Sequence, residues 1–303
     1  MRAHRSPEPR GAPGPAGAAH RGADRLSARI VWLASYPKSG NTWLRAVYSA
    51  WRTGRPVDLE ELPAGLVATR AVFDDALGIA SSSMTEDEIE LLRPRVDEVL
   101  AADADGPLLH KIHDAYLRGP TGGPIVSVAA TRAAIYLIRD PRDVAVSYAH
   151  RAGEGPEWGY GRLRDPEAAI VPAQDGLGEQ LRQRLGTWSE HVCSWVDETP
   201  FPVELVRYED CVADPVETFA RTLRFAGLAP VDRERVADAV ENAAFDRLRQ
   251  AEQQHGFDEP GAPTFFRRGE PGAWREELPS ELAARIEEDH GEVMERFGYL
   301  ASR

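Results

Sequence analysis

IVWLASYPKSGNTWLRAVYSAW, residues 30–51, changes its period halfway along. IVWLAS is a short apolar run and reads as a buried strand. Beyond it, Leu44, Val47, Tyr48 and Trp51 recur at helical spacing on one face, and Gly54 can end that helix. The unit is therefore strand, loop, helix, with the loop at Tyr36 to Gly40. A helix N-terminus after a strand offers unpaired N–H groups and the positive end of a dipole, so it suits a phosphate. Gly40 lets the backbone approach a ligand closely, and Lys38 adds a mobile positive charge. The loop is not a Walker A loop, because GxxxxGK[ST] is absent. Standing alone, it could equally be an ordinary strand-to-helix turn.

The pattern repeats down the chain. Thr85 and Glu88 form a capping-box signature for a helix over 85–102, which Pro94 should kink or break. Residues 107–113, PLLHKIH, read as a second strand with Lys111 and His113 on one face and His110 and Ile112 on the other. Residues 133–138 read as a third buried strand, after which Asp140 caps a helix with Pro141 at its first position. A fourth strand is expected at 203–207, a helix from Pro215 to about Ala226, and a last helix over 280–297 capped by Ser280. Strands alternating with helices imply an α/β fold in three layers, a central parallel sheet flanked by helices. Two Gly- and Pro-rich stretches interrupt the rhythm, 153–180 with Trp158 and Tyr160, and 251–273 with Phe257, Phe265 and Phe266. Loops this long are functional or disordered, and as functional loops both are expected to close over ligands.

Composition narrows the function. The 303 residues carry 49 Asp and Glu against 36 Lys and Arg, a formal net charge of −13. Such a surface disfavours nucleic-acid binding, and an anionic ligand would need a local cluster of donors. Two cysteines, Cys193 and Cys211, cannot build a disulfide framework or a Cys-rich zinc site. No run of about 18 apolar residues exists, so no integral membrane association is expected. Together these features read as cytoplasmic. Residues 1–29 are rich in Arg, Pro, Gly and Ala and are expected to form a disordered tail, with residues 30–303 a single domain.

Two further stretches carry chemistry. In YLIRDPRDVAVSY, residues 136–148, Arg139 sits at a strand's end, where open α/β sheets bind ligands, and Ser147 can face back toward the same crevice. Alone, that arginine could be a surface salt bridge. In FFRRGEPGAW, residues 265–274, two arginines beside two glycines suit bidentate phosphate recognition, or form a solvated charge pair.

The three stretches together resemble the PAPS-dependent sulfotransferase family, in a bacterial, cytosolic-type form, PAPS being 3'-phosphoadenylyl sulfate. YPKSGNTW resembles its 5'-phosphosulfate loop, RDPRDVAVS its 3'-phosphate motif, and RRGEPGAW its RKGxxGDW-type C-terminal motif. Order and spacing agree from about Ile30 to Leu300. The resemblance implies PAPS as co-substrate and no metal. It implies that Lys38 contacts the bridging and sulfuryl oxygens, that Ser39, Gly40, Asn41 and Thr42 bind the 5'-phosphate, and that Trp43 lies against adenine. Arg139 and Ser147 would hold the 3'-phosphate with Arg267, Arg268 and the Gly269 backbone. Tyr208 and Phe245 would contact the adenine. Lys111-Ile112-His113 is similar to the family's Lys-x-His segment, which makes His113 the expected general base, with His110 its near competitor. Asn41 departs from the usual threonine, and Ala273 and Arg275 from the usual Asp and Lys. The family's dimerisation signature is not visible after Trp274, which leaves the oligomeric state open. The expected acceptor is a small natural product or lipid bearing a hydroxyl or amine, since an acidic chain is a poor partner for a polyanionic glycan and the aromatic loops suit an apolar body. The competing readings are a P-loop kinase and a non-catalytic nucleotide-binding module.

Overall fold

A computed structural model describes residues 28–60, 62, 68–170, 178–228, 230–257 and 264–301. Up to residue 27, the expected tail lies outside the described residues. Strand β1 (Ile30–Ser35) is buried along its whole length. It leads into α1 (Asn41–Thr53), whose end is closed by Gly54 in the left-handed region at φ 67°. Helices α2 (Arg70–Leu77) and α3 (Glu86–Ala102) follow, then β2 (Leu108–Ile112), β3 (Thr131–Ile138) and α4 (Pro141–Ala152). After α5 (Pro156–Arg164) come the short strands β4 (Ala169–Ile170) and β5 (Gln183–Arg184), α6 (Trp188–Asp197) and β6 (Val203–Arg207). The remainder is helical: α7 (Tyr208–Ala213), α8 (Pro215–Phe225), α9 (Arg233–Asn242), α10 (Phe245–His255), the single turn α11 (Trp274–Glu277) and α12 (Ser280–Arg296).

The central sheet has the order β2-β1-β3-β6, with every pairing parallel. Alternation along β1 shows why both faces must be covered. Ile30, Trp32 and Ala34 join a core with Tyr136, Trp188, Trp195 and Ile286, whereas Val31 and Leu33 join a second core with Leu44, Val47, Phe219 and Leu223. The expected three-layer α/β architecture is the observed one.

Local expectations meet four corrections. The Thr85–Glu88 capping box forms, with Thr85 Oγ1 accepting from the Glu88 amide at 3.3 Å and Glu88 Oε2 from the Thr85 amide at 2.8 Å. Pro94, however, does not break α3. The neighbouring turn is anchored by Arg93, which donates two bonds, 3.0 and 2.7 Å, to the wholly buried carboxylate of Asp114. Residues 153–180 are not one long loop, since they hold α5 and β4, while 171–177 lie outside the described residues. Gly159 in α5 is there for contact, because a Cβ would run into the Ala145 carbonyl of α4. In 251–273 the first five residues finish α10, and 258–263 lie outside the described residues. Beyond that gap the chain is pinned: Glu252 of α10 accepts from the amides of Phe265 and Phe266 at 2.5 and 3.0 Å. Finally, the cap of α12 is Pro279, one residue before the expected Ser280.

Candidate active site

The chain leaves β1 toward β2 on one side and returns to β3 on the other, which makes the gap between β1 and β3 a topological switch point. In open α/β sheets, ligands bind beyond the carboxyl ends of the strands at such a point. A cavity of about 750 Å³ lies there, walled by the segments after β1, β2, β3 and β6 and by residues 265–273.

The segment after β1 has unusual backbone geometry. Lys38 holds a φ of 71°, the one positive value for a non-glycine residue among the described residues. The left-handed region costs an L-residue roughly 1–2 kcal/mol, and such outliers gather at functional sites. Lys38 Nζ lies 3.9 Å from the centroid of the Phe265 ring. Gly40 has φ 104°, and a Cβ there would sit 2.5 Å from Tyr208 Cδ2, so only glycine fits. Gly40 gives α1 no capping side chain, and the first turn has no acid. The positive end of this helix is therefore left to the cavity, where an anion would be held by backbone amides. Thr42 and Trp43 line the cavity. Asn41 lines it too, but its amide faces inward, donating to Leu33 O at 2.7 Å and Ser35 Oγ at 3.3 Å. It staples the helix to its own strand, so only its backbone is left for a ligand. Ser39 is buried and does not line the cavity, and its Oγ has no hydrogen-bond partner among the described residues.

Arg139, just past β3, ties three segments together. It donates to the carbonyls of Lys38 and Glu270 at 3.3 Å each and stacks 4.3 Å from the Tyr208 centroid. Four residues on, Asp143 accepts from the amides of Gly272 (2.6 Å) and Trp274 (2.9 Å) and stands 3.8 Å from Arg139. Asp143 was not anticipated from sequence, although its place one turn after Arg139 was a usable signal. Ser147 of α4 reaches the same cavity.

Arg267 and Arg268 line the cavity, and both guanidinium groups already meet carboxylates. Arg267 Nη1 is 2.9 Å from both oxygens of Glu277, and Arg268 Nη1 is 3.0 Å from Glu276 and 3.1 Å from Glu277. Burial alone would raise the Glu277 pKa, but hydrogen bonds from Arg267 and His150 hold it below the usual carboxylate range. Gly269 (φ 72°) packs under Phe245, which leaves no room for a Cβ, and its carbonyl accepts from Tyr208 Oη at 2.6 Å. Trp43, Tyr208 and Phe245 thus gather on one side, with Trp43 Nε1 fixed to the Ala243 carbonyl at 3.0 Å. Burial pushes the Tyr208 phenol up, against the pull of Arg139, so it remains a donor. Trp274 belongs to the scaffold, lying between Arg142 and Arg275 at 3.9 and 4.7 Å.

His113 follows the last residue of β2 and lines the cavity. Its Nδ1 lies 2.8 Å from the carbonyl oxygen of Ser35. A carbonyl can only accept, so Nδ1 carries the hydrogen and Nε2 is the basic nitrogen. His110 does not line the cavity. It sits on the other face of β2 beside Trp32, and burial lowers its pKa to about 4.

The cavity reverses the charge of the chain. Among its described lining residues are seven Lys or Arg, namely Lys38, Arg45, Lys111, Arg139, Arg151, Arg267 and Arg268, against Asp143, Glu179 and Glu270. This is the local donor cluster that an anionic ligand requires on an acidic protein.

Comparison with known proteins places this geometry. Residues 126–298 match the family model described as sulfotransferase domain. Flavonol 3-sulfotransferase of Flaveria bidentis is 26% identical over 274 residues, covering 85% of this chain and 79% of its own length. Cytosolic sulfotransferase 17 of Arabidopsis thaliana is 26% identical, with 90% and 76% covered. Among solved structures, retinol dehydratase in complex with androsterone and the inactive cofactor PAP superposes with a TM-score of 0.55 at 20% identity, over 88% of this chain and 80% of that one. A mouse sulfotransferase complexed with PAP gives 0.54 at 20% identity, over 88% and 85%. The fold is therefore shared with these enzymes.

Proposed function

We propose, from the premise that this chain belongs to the sulfotransferase family, that it moves a sulfuryl group from PAPS to a hydroxyl or amine of a small-molecule acceptor. The observation that carries the reading is the convergence of Lys38, His113 and Arg139 on one cavity, each from the end of a different strand. The residues fit the nucleotide chemically: uncapped helix amides and Lys38 for the 5'-phosphosulfate, Arg139 with Ser147, Arg267 and Arg268 for the 3'-phosphate, and three aromatic rings for the base. Arg267 and Arg268 would exchange carboxylate partners for phosphate. Residues 30–303 act as one unit in this reading.

When bound, PAPS supplies the sulfuryl group, whose bond to the acceptor atom forms as its bond to the 5'-phosphate oxygen breaks. His113 takes the acceptor proton on Nε2, while its Nδ1–H stays on the Ser35 carbonyl. Lys38 and the amides that open α1 stabilise the charge growing on the leaving phosphate oxygen. Their strained or uncapped geometry is set before the ligand arrives, so little reorganisation is needed at the moment of transfer.

The flavonol and luciferin of relatives' names are small hydroxylated aromatic molecules. They support a small-molecule acceptor here, and a lipid remains within the same class of hydroxyl-bearing apolar bodies. Incubation with sulfur-labelled PAPS and a panel of phenols, alcohols, amines and hydroxylated lipids tests the reaction. PAP should raise the melting temperature and ATP with Mg²⁺ should not. Stabilisation by ATP and Mg²⁺ alone would favour a kinase and overturn the reading.

A further inference from the structure

His113 is held from behind by a helix that lines no part of the described cavity. Where β2 ends at Ile112, residues 113–116 leave the sheet, and their backbone groups need other partners. Helix α6 supplies them. His191 Nε2 lies 2.9 Å from the His113 carbonyl, Trp195 Nε1 donates to the Asp114 carbonyl at 2.9 Å, and the Tyr116 amide donates to Ser194 Oγ at 3.0 Å. His191 and Trp195 are one turn apart on a single helix face, and they catch consecutive carbonyls. A third residue fixes the ring of His191: the Tyr136 hydroxyl of β3 lies 2.8 Å from its Nδ1.

The hydrogen positions follow from the partners. The His113 carbonyl only accepts, so His191 carries its hydrogen on Nε2, and its Nδ1 receives the hydrogen of Tyr136. Both nitrogens of a wholly buried imidazole are thereby satisfied. Burial lowers the His191 pKa to about 4, so the ring stays neutral at physiological pH. An apolar residue would pack there as well but would orphan a buried carbonyl.

We propose that His191, oriented by Tyr136, is a positioning residue for His113. It fixes the peptide from which the imidazole springs and so keeps Nδ1–H on the Ser35 carbonyl and Nε2 as the base. The inference rests on the reading of His113 as that base. Loss of His191 should let the ring turn and take up its hydrogen on Nε2, the wrong tautomer for accepting a proton there.

Long-range proton–nitrogen NMR of the imidazoles tests this on the full chain without any acceptor. The wild type should show His113 as the Nδ1–H tautomer and His191 as the Nε2–H tautomer. In His191→Leu the His113 signals should move to a tautomer mixture, while His191→Gln, whose amide reaches the same carbonyl, restores them. Transfer from PAPS to 2-naphthol gives the kinetic arm. His191→Leu should lower kcat about 10- to 100-fold and leave PAP affinity within about twofold. Tyr136→Phe, which removes a single hydroxyl and keeps the ring, should lower it about threefold or more and serves if His191→Leu fails to fold. Added to His113→Ala, His191→Leu should change the residual rate by less than about twofold, since its effect runs through the missing ring. Unchanged His113 signals, or the same fold loss in both backgrounds, would overturn the inference alone. A His113→Ala enzyme at full rate would overturn the base assignment beneath it.

Discussion

The carbonyl oxygen of Lys38 accepts a hydrogen bond from Arg139 Nη1 at 3.3 Å, joining the ends of β1 and β3 across the switch point. The bond clamps the loop between β1 and α1 at Lys38, the residue with the left-handed φ of 71°. It also means that the backbone of Lys38 and its ammonium have separate duties, which two substitutions can separate.

Lys38→Ala and Lys38→Gly should both lose at least about 10²-fold in kcat, because a charged donor at the leaving oxygen is worth several kcal/mol to the transition state. Their stabilities should differ. Alanine keeps the strain of φ 71°, whereas glycine relieves it, so Lys38→Gly should be the more stable of the two by about 1 kcal/mol. Urea midpoints and steady-state rates on the same preparations check both. A variant retaining the wild-type rate would remove Lys38 from the chemistry.

Asp143 gives a test in which simple charge counting fails. It is the acid nearest to Arg139, so its removal should help an anion bind if net charge alone mattered. Yet its carboxylate also accepts from the amides of Gly272 and Trp274 and so holds the C-terminal loop against the cavity. Asp143→Ala should destabilise the protein by about 2–4 kcal/mol, the cost of orphaning these donors. PAP should bind about tenfold or more weakly, and calorimetry showing tighter binding would mean that charge outweighs loop placement.

The strand–loop–helix at 30–53 was legible because hydrophobic period and loop chemistry change together within a few residues. The first two motifs met in one cavity because parallel strands place their carboxyl ends on one edge of the sheet, whereas the third follows α10 and is held there by Asp143, which accepts from the Gly272 and Trp274 amides, and by Tyr208, which donates to the Gly269 carbonyl. Helix α5 was hidden, since its glycines read as flexibility when Gly159 in fact permits close packing on Ala145. Helix α6 was announced by the same capping signature as α3, Thr187 with Glu190, and went unread. Nothing in sequence spacing could join Tyr136, His191 and His113, because their contacts depend on how β3, α6 and β2 stack. Asn41 looked like a phosphate ligand because its loop position was readable but the turn of its side chain back onto β1 was not, and its amide is spent on Leu33 and Ser35.

Acid should expose buried imidazoles. The His290 pKa is lowered to about 4 by burial, against 6.5 in the unfolded chain. Between those values the unfolded state binds a proton that the folded state refuses, so this stability is complete above pH 6.5 and is lost as pH falls toward 4. His290→Gln should therefore flatten the acid limb by about 1.4 kcal/mol per pH unit. Asp97 works in the opposite direction, because burial pushes its pKa up to about 7 and the folded state takes its proton first. Its contribution is present below pH 3.8 and is lost as pH rises through 7. Asp97→Asn should remove that gain on acidification. Denaturant midpoints from pH 4 to 7.5 read both signs, and two variants with parallel slopes would contradict them.

His110 within β2 and His113 just past its end are three residues apart and point to different sides, so they form a matched pair. His113 reaches the cavity with its tautomer set by Ser35, whereas His110 packs beside Trp32 on the far face. His113→Ala should lower kcat by roughly 10²–10⁴. PAP affinity should hold, because in the proposed reading the loop after β1, Arg139 and residues 267–269 hold the nucleotide without this ring. His110→Ala should keep kcat within about twofold and lose only stability, the cost of a cavity next to Trp32. Rates measured with saturating PAPS, alongside PAP calorimetry and urea midpoints for each variant, separate chemistry from folding. If His110→Ala lost activity and His113→Ala did not, the proton would leave by the other face of β2, and the cavity described here would not be where transfer occurs.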